Sequence, residues 1–130
     1  MNIRKILILF GFVGAIAGPA QADAPLGLWQ AAPDGRGLVV HVRTRPCGSS
    51  ICGRVERAKN LRGYDTPSSA VGQQVLWDVN MQDDGSYLGQ LWASDSGQRS
   101  VARLKPQGNQ MQVETCVGSD CKAEIWKRLR

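Results

Sequence analysis

Short stretches of alternating hydrophobic and polar residues recur about every ten residues from residue 27 to the C terminus. A two-residue period places successive side chains on opposite faces of a β-strand. Turn-forming groups such as Asp83-Asp84-Gly85 separate the stretches. The pattern predicts eight strands, at residues 27–32, 38–47, 52–59, 73–82, 86–93, 98–105, 110–117 and 121–129.

Most of the predicted strands are joined by short hairpin turns, and no long stretch with the helical period of 3.6 residues lies among them. Residues 60–72 form the one long loop, which is rich in Gly, Pro, Ser and Asp. A meander of antiparallel strands has two exposed edges, and closure into a barrel removes both. The sequence therefore predicts an all-β fold, a single small antiparallel meander barrel of about eight strands. A two-sheet sandwich is the alternative.

The alternation also predicts which side chains face the interior. In residues 38–47 the apolar face holds Leu38, Val40, Val42 and Thr44. In residues 73–82 it holds Val75, Trp77, Val79 and Met81. Four cations interrupt such faces in other strands: Arg57, Lys59, Arg103 and Lys105. We therefore expect either strand ends that reach solvent or an interior that is partly polar.

Residues 1–22 have the three-part order of a secretory signal peptide. Its parts are the cations Arg4 and Lys5, the apolar run at residues 6–17 and the small-residue site Ala20-Gln21-Ala22. The apolar run is shorter than the roughly 20 residues that a membrane-spanning helix needs, and an uncleaved N-terminal anchor is the alternative. We predict cleavage near Ala22, so that residues 23–130 form a single β-barrel domain in the periplasm or outside the cell.

Removal of the signal peptide changes the charge of the rest of the protein. The full chain has 16 Lys and Arg residues, 11 Asp and Glu residues and a formal net charge of +5. Loss of Arg4 and Lys5 lowers that charge to +3. The remainder has no dense cationic run with aromatic residues beside it, so no nucleic-acid partner is expected. Because the first cysteine is Cys47, no thiol lies near the cleavage point for lipid attachment, and we expect no membrane anchor.

The four cysteines occur in two copies of one spacing. Cys47 and Cys52 bracket four residues that include Gly and Ser, and Cys116 and Cys121 bracket four more. Each pair lies at the base of a predicted hairpin, where two thiols face each other at a separation that suits a disulfide. In an oxidising compartment we therefore predict two hairpin disulfides. The alternatives are cross-pairing between the motifs, a four-thiolate zinc site and a redox-active pair.

Two short motifs near the ends of the predicted barrel carry a family resemblance. They are Gly27-Leu28-Trp29 and Trp126-Lys127-Arg128. A G-x-W motif in the first strand and a late arginine resemble the lipocalin and fatty-acid-binding superfamily. With the two cysteine motifs added, the pattern covers nearly all of the chain after residue 22 and resembles the bacterial exported family called domain of unknown function 2147. The loop at residues 60–72 is where this chain departs most from that family.

The resemblance implies a lipocalin-like barrel with a closed bottom. The closing residues would be Gly27, Trp29, Trp126 and Arg128. Glycine permits close backbone approach, tryptophan is a large apolar plug, and a guanidinium over an indole is a cation–π contact. The alternative for Trp29 and Trp126 is simple core packing without a ligand. The family's name assigns no activity to its members.

A small closed barrel is too narrow for a channel and holds one small ligand in its mouth. The leading hypothesis is therefore a binding module for a small apolar ligand such as a lipid or fatty acid. We expect Trp77, Trp92 and Tyr64 to contact this ligand, and Tyr64 on the long loop either covers the opening or packs at its rim. No cofactor and no metal are predicted.

Catalysis is not expected. The single histidine, His41, is predicted beside Arg43 and Arg45 on one strand face, where positive charge lowers the pKa of an imidazole. No thiol nucleophile remains once the disulfides form. The remaining hypothesis is an envelope interaction or stress protein that acts through a basic surface, to which Arg54 and Arg57 would also belong.

Overall fold

The protein forms a β-barrel in a computed structural model that describes residues 24–93 and 96–130. The predicted signal peptide at residues 1–22 lies outside the described residues. The strands are β1 (Gly27–Gln30), β2 (Val39–Cys47), β3 (Ser50–Lys59), β4 (Gln74–Met81), β5 (Tyr87–Ala93), β6 (Gln98–Gln107), β7 (Gln110–Val117) and β8 (Asp120–Arg128).

Each strand pairs antiparallel with the next along the chain, and the short strand β1 pairs with β8 to close the sheet. In that closing pair, Trp29 lies opposite Arg128 and Gln30 lies opposite Lys127. The prediction of an all-β meander barrel of eight strands is confirmed, and the sandwich alternative is wrong. Closure leaves neither edge of the sheet unpaired, as expected for a small antiparallel fold.

The connections divide the barrel into two ends. At the open end lie the β1–β2 loop, the long loop at residues 60–73, the β5–β6 turn and the β7–β8 hairpin. At the closed end lie the other three hairpins, together with residues 24–26 and the last two residues of the chain. The open end therefore carries the longest connections, which is where a ligand would enter such a barrel.

The core fills the closed half of the barrel. Its fully buried side chains include Trp29, Val42, Leu76, Val79, Leu104, Met111 and Val113. Gly89 of β5 lets the backbone of β4 pass close by, because a Cβ there would lie 2.6 Å from Val79 Cγ2 and 2.8 Å from the Trp77 carbonyl oxygen. Strands β4 and β5, which are neighbours in the sheet, thus approach more closely than a side chain at position 89 would allow.

Strand β4 does not follow the simple alternation that the sequence suggests. Val75 and Leu76 are both buried, and Asp78 has a left-handed φ of 52° at a register shift between Trp77 and Asn80. Such a β-bulge re-aims the side chains on either side of it. The expectation that Trp77 and Met81 share the inner face with Val75 and Val79 is therefore wrong.

Both predicted disulfides are present. Cys47 pairs with Cys52 across the β2–β3 hairpin at the closed end, and Cys116 pairs with Cys121 across the β7–β8 hairpin at the open end. No cysteine remains free, so the cross-paired and zinc-bound alternatives do not hold. Two structural disulfides are typical of proteins from oxidising compartments.

The part of the chain that the structure describes contains no helix with the length and apolar character needed to cross a membrane.

Candidate functional site

A cavity of about 240 Å³ occupies the open half of the barrel. One wall is apolar and comes from β2 to β5 and the adjoining loop, with Val40, Val42, Val55, Ala70, Val75 and Leu91. Another is polar and comes from β6, β7 and β8, with Ser100, Thr115, Lys122 and Glu124. The cavity can therefore receive a molecule that has one apolar and one polar side.

The apolar wall follows from strand alternation. Val40 and Val42 are two residues apart on β2 and face the same side of the sheet. Leu91 of β5 lies opposite buried Leu76 of β4, so it also faces inward. An apolar ligand that enters the cavity removes these side chains and its own surface from contact with water. This gain in free energy gives the apolar wall its affinity.

The polar wall follows from the same rule in the last three strands. On β8, Lys122, Glu124 and Trp126 alternate with outward residues and all line the cavity. Thr115 of β7 lies directly opposite Lys122, so the two side chains share one face. The indole Nε1 of Trp126 donates a hydrogen bond of 2.7 Å to Glu124 Oε1, which orients the carboxylate along the wall.

Asp34 brings a second carboxylate to the cavity from the β1–β2 loop. Its Oδ1 accepts hydrogen bonds from the backbone N–H groups of Arg36 at 2.8 Å and Leu38 at 2.9 Å. Its Oδ2 is buried, accepts no hydrogen bond from the described residues, and lies 3.6 Å from Nη2 of Arg36. The loop is thus held in shape by the carboxylate, and Arg36 balances the charge of Asp34.

Two indoles complete the cavity. Trp92, at the end of β5, lines the cavity and also a groove beside residues 66–70 of the long loop. Trp126 lies in the core, with 2% of its surface exposed, and lines the cavity as well. Both side chains therefore add apolar surface to the lining of the cavity.

The opposite end of the barrel is plugged. Trp29 is fully buried, its Nε1 donates to the Pro25 carbonyl at 3.2 Å, and Arg128 Cζ lies 4.2 Å from the centroid of its ring. The Arg128 guanidinium also donates to the carbonyls of Ala24, Leu26 and Gly108. These contacts fill this end of the barrel, so a ligand would reach the interior from the open end.

Residues 27–128 match the model of a protein family described as "Uncharacterized protein conserved in bacteria (DUF2147)". The chain belongs to this family. The match includes all eight strands and both disulfides, so it covers the whole barrel. The family resemblance inferred from the two end motifs and the paired cysteines is confirmed.

A solved structure has the same fold. It is described as "Protein HP1028 from the human pathogen Helicobacter pylori belongs to the lipocalin family". The TM-score is 0.66 at 15% sequence identity, over 83% of this chain and 84% of that one. At this identity the likeness shows a lipocalin-like fold alone. No curated protein matches the sequence.

Of the three aromatic residues predicted to contact a ligand, one lines the cavity of this DUF2147 protein. Trp92 does, whereas Trp77 lies on the outer face of the sheet, where Arg99 Cζ is 4.0 Å from its ring centroid. Tyr64 is 67% exposed on the long loop and is not among the residues that line the cavity. The bulge at Asp78 is the reason for the position of Trp77.

The four predicted barrel-closing residues separate into two groups. Trp29 and Arg128 form the plug just described, and Gly27 makes room for it, because a Cβ there would lie 2.5 Å from the Arg130 carbonyl oxygen. Trp126 instead reaches the cavity from the core. Trp126 therefore belongs to the lining of the cavity and not to the plug at the closed end.

His41 is buried, although the sequence places it beside Arg43 and Arg45 on one strand face. It lies opposite Arg57 in the β2–β3 pair and does not line the cavity. Burial is the main cause that lowers its pKa, and the charges of Lys59 and Arg57 add to that effect. Its Nε2 has no hydrogen-bond partner among the described residues, so a neutral imidazole fits this position.

The outer face of β2 and β3 carries the predicted arginines. Arg43 lies directly opposite Arg54, and Arg45 follows on the same face. Arg43 donates to Glu56 Oε2 at 2.6 Å, which is the main cause that lowers the pKa of Glu56. Arg57 is drawn away from this group, because it pairs with Asp65 of the long loop at 3.2 Å.

Sequence reasoning missed three charged residues of the site: Asp34, Lys122 and Glu124. Asp34 stands in a Pro-Asp-Gly group that signals only a turn. Lys122 and Glu124 lie in a strand whose inward face was assigned only through Trp126. The useful signal is their two-residue spacing from that tryptophan, which places all three on one side of β8.

Proposed function

We propose that this protein binds a small, largely apolar ligand in the cavity at its open end. The observation that carries the proposal is the apolar wall of β2 to β5 within a barrel whose other end is plugged. Closed barrels of this size hold one small ligand in the mouth. The lipocalin-like fold, shared with the Helicobacter pylori protein, is compatible with that use.

The cavity limits the size of the ligand. A volume of about 240 Å³ is room for roughly eight groups of the size of a water molecule. A lipid or fatty acid would therefore be enclosed over a short chain only, and a longer chain would extend out of the open end. This limit distinguishes the site from deep lipid-binding cavities, which lie at several hundred cubic ångströms.

The proposed role is binding and not catalysis. His41 is buried away from the cavity, and all four cysteines are in disulfides. Ser100 and Thr115 line the cavity, but neither hydroxyl donates to a basic side chain within the described residues. The proposal therefore assigns these polar groups to ligand orientation.

We also place the protein in the periplasm or outside the cell, after cleavage near Ala22. Both disulfides support this location, since such bonds persist in oxidising compartments. The intact mass of the protein recovered from a periplasmic fraction tests it. The expected mass is that of residues 23–130 less the four hydrogens lost when two disulfides form. Recovery of the full-length, reduced protein from the cytoplasm would contradict this location.

A cavity-filling variant tests ligand binding. Leu91→Trp adds bulk to the apolar wall, and Val101→Trp makes a similar change on the outer face of the neighbouring strand, where Val101 is 58% exposed. Delipidated proteins are titrated calorimetrically with medium-chain fatty acids and with an environment-sensitive dye. We expect saturable binding by the wild type and Val101→Trp, and at least roughly tenfold weaker binding by Leu91→Trp.

Two results would contradict the proposal. One is the absence of saturable binding by the wild type for every probe. The other is equal affinity of Leu91→Trp and Val101→Trp, which would move the binding site out of the cavity.

A second candidate function is an interaction through the outer arginines. Arg43 and Arg54 lie directly opposite each other, and like charges in such a pair are unfavourable unless an anion compensates them. Glu56 compensates Arg43, and Arg54 donates to the Gly72 carbonyl at 2.6 Å. No ion pair within the described residues includes Arg45 or Arg54, so their charges can attract acidic lipid or polysaccharide. Retention of the wild type on vesicles with anionic lipid, lost in Arg45→Gln with Arg54→Gln, would support this role. Equal retention of both would reject it.

A further inference from the structure

We infer that the cavity selects amphiphiles whose polar group carries both a positive and a negative charge, held between Glu124 and Lys122. This inference rests on the proposed function and names the ligand class for the same site. Its basis is a pair of opposite charges that face the cavity from one strand without contacting each other.

The two charges are arranged along the polar wall. Lys122 and Glu124 are two residues apart on β8 and both line the cavity, so their Cα atoms are about 7 Å apart. Five ion pairs occur within the described residues, and none of them includes either side chain. The wall therefore presents a separate positive and a separate negative pole.

The negative pole has an aromatic neighbour. Trp126 Nε1 donates to Glu124 Oε1, which fixes the carboxylate, and Oε2 accepts no hydrogen bond from the described residues. Trp126 itself lines the cavity. The indole N–H thus holds the carboxylate in place, so that its charge can pair with an ammonium group in the cavity.

The positive pole has hydroxyl neighbours. Thr115 lies directly opposite Lys122 on β7, and Ser100 of β6 lines the same cavity. An anionic group that accepts from the Lys122 ammonium can also accept from these hydroxyls. Sulfonate, phosphate and carboxylate share this chemistry.

One further charged residue lines the cavity, and a neighbouring arginine balances its charge. Asp34 lies close to Arg36, at 3.6 Å between Oδ2 and Nη2, so this pair adds no net charge to the wall. Lys122 and Glu124 are exposed to solvent at the open end, so both are hydrated before a ligand binds. A head group with a single charge would pair with one pole and remove water from the other without pairing it. Burial of an unpaired charge is unfavourable, so the two poles discriminate against singly charged amphiphiles.

Four ligands with the same decyl chain test the inference by isothermal calorimetry below their micelle concentrations. They are a decyl sulfobetaine, decyl sulfate, decyltrimethylammonium and decanol. We expect the sulfobetaine to bind the wild type about tenfold more tightly than either singly charged ligand, because it alone satisfies both poles.

Two variants remove one pole each. Lys122→Gln is expected to shift the preference to decyltrimethylammonium, and Glu124→Gln is expected to shift it to decyl sulfate. The matched controls are Lys127→Gln, an exposed residue on the same strand, and Glu114→Gln, outside the cavity on β7. Both controls should keep the order of the wild type, and an unchanged near-ultraviolet circular dichroism spectrum shows that each variant folds.

The inference is overturned if decyl sulfate or decyltrimethylammonium binds as tightly as the sulfobetaine. It is also overturned if Lys122→Gln and Glu124→Gln each weaken all four ligands by one common factor. In either case, saturable binding of decanol would leave the proposed function standing. Failure of all four ligands to bind the wild type would contradict the proposed function itself.

Discussion

The guanidinium of Arg128 lies over the indole ring of Trp29, with 4.2 Å between Cζ and the ring centroid, and these residues also face each other in the closing pair of strands. One side chain thus joins the last strand to the first. It donates as well to three backbone carbonyls, two of them in the segment that precedes β1. The β1–β8 register contains only two residue pairs, and backbone hydrogen bonds between Leu28 and residues 129–130 extend the junction, so the Arg128 contacts reinforce a short seam.

Arg128→Met is expected to lower the free energy of unfolding by about 2–4 kcal/mol, since it removes the cation–π contact and charge-assisted hydrogen bonds to three carbonyls. Urea denaturation followed by tryptophan fluorescence measures the change. Lys127→Met, an exposed neighbour, is expected to change it by no more than about 0.5 kcal/mol. Equal effects of the two substitutions would show that Arg128 does not close the barrel.

Gly27→Ala tests the crowding at the same end. Gly27 has a φ of 132°, and its Cβ would lie 2.5 Å from the Arg130 carbonyl oxygen. We expect a loss of about 2–4 kcal/mol in the free energy of unfolding from backbone strain and displacement of the C terminus. The control is Gly85→Ala, where φ is 86° but no atom lies within 4 Å of the added Cβ.

The control should lose only about 1 kcal/mol, the effect of a left-handed conformation without a clash. If Gly27→Ala is no more destabilising than Gly85→Ala, the C-terminal residues are not packed against β1 as described.

The barrel could be predicted because its strands obey a local rule. Alternation in residues 38–47 places Val40 and Val42 on the inner face, and both line the cavity. The cysteine pairs were predictable for the same reason, because hairpin geometry brings the two thiols together without long-range contacts. For these elements, the spacing of residues within a single strand or hairpin was enough to predict the structure.

The errors arise where a tertiary feature overrides the local pattern. Trp77 faces outward because Asp78 adopts a left-handed φ at a bulge, and nothing in the alternation of β4 announces that bulge. His41 is buried although it stands among arginines in the sequence. Asp34 reaches the cavity from a loop whose path is decided by its own side-chain hydrogen bonds. Such positions require the folded chain.

The free energy of unfolding is expected to decrease as the pH is lowered, because of His41. Burial, and then the charges of Lys59 and Arg57, hold the pKa of this imidazole below its usual value, while Asp65 and Glu56 oppose the shift. In the unfolded chain His41 therefore becomes protonated at about pH 6.5, whereas in the folded protein it stays neutral at this pH. The stabilisation is complete above this pH and is lost as the pH falls through it toward the folded pKa.

Urea unfolding at several pH values between about 8 and 5 measures this loss, whose slope cannot exceed about 1.4 kcal/mol per pH unit for one proton. His41→Gln is expected to flatten the profile in this range, whatever its effect on absolute stability. The lowered pKa values of Glu56, Asp65 and Asp84 act only in more acidic solution. Identical profiles for wild type and His41→Gln would rule out the role given to the histidine.

The two disulfides are expected to differ in their effect on ligand binding. Each closes a loop of the same length, with a sequence separation of 5, so replacement of either pair by serine should cost about 2 kcal/mol in the free energy of unfolding. Only the Cys116–Cys121 pair lies at the open end, next to Lys122. Its loss should weaken binding of a decyl ligand, and loss of the Cys47–Cys52 pair should leave affinity unchanged.

The comparison uses calorimetric titration at a temperature where both double variants remain folded. Equal losses of affinity would indicate that global stability, and not the polar wall, governs binding.

The size of the cavity predicts how affinity depends on chain length. Linear alcohols of about six to about fourteen carbons give one series with an uncharged head group, so that only the apolar contact changes. Burial of each further methylene contributes about 0.8 kcal/mol, which is roughly a fourfold decrease in the dissociation constant. A cavity of about 240 Å³ is filled by roughly eight to ten such groups. We therefore expect affinity to rise steeply up to that length and to level off beyond it, because later carbons remain in water at the open end.

In Leu91→Trp the plateau should begin at a shorter chain, since the new side chain takes part of the volume. A continued rise to the longest alcohol would contradict the cavity as the binding site and would require an apolar surface that extends past the rim.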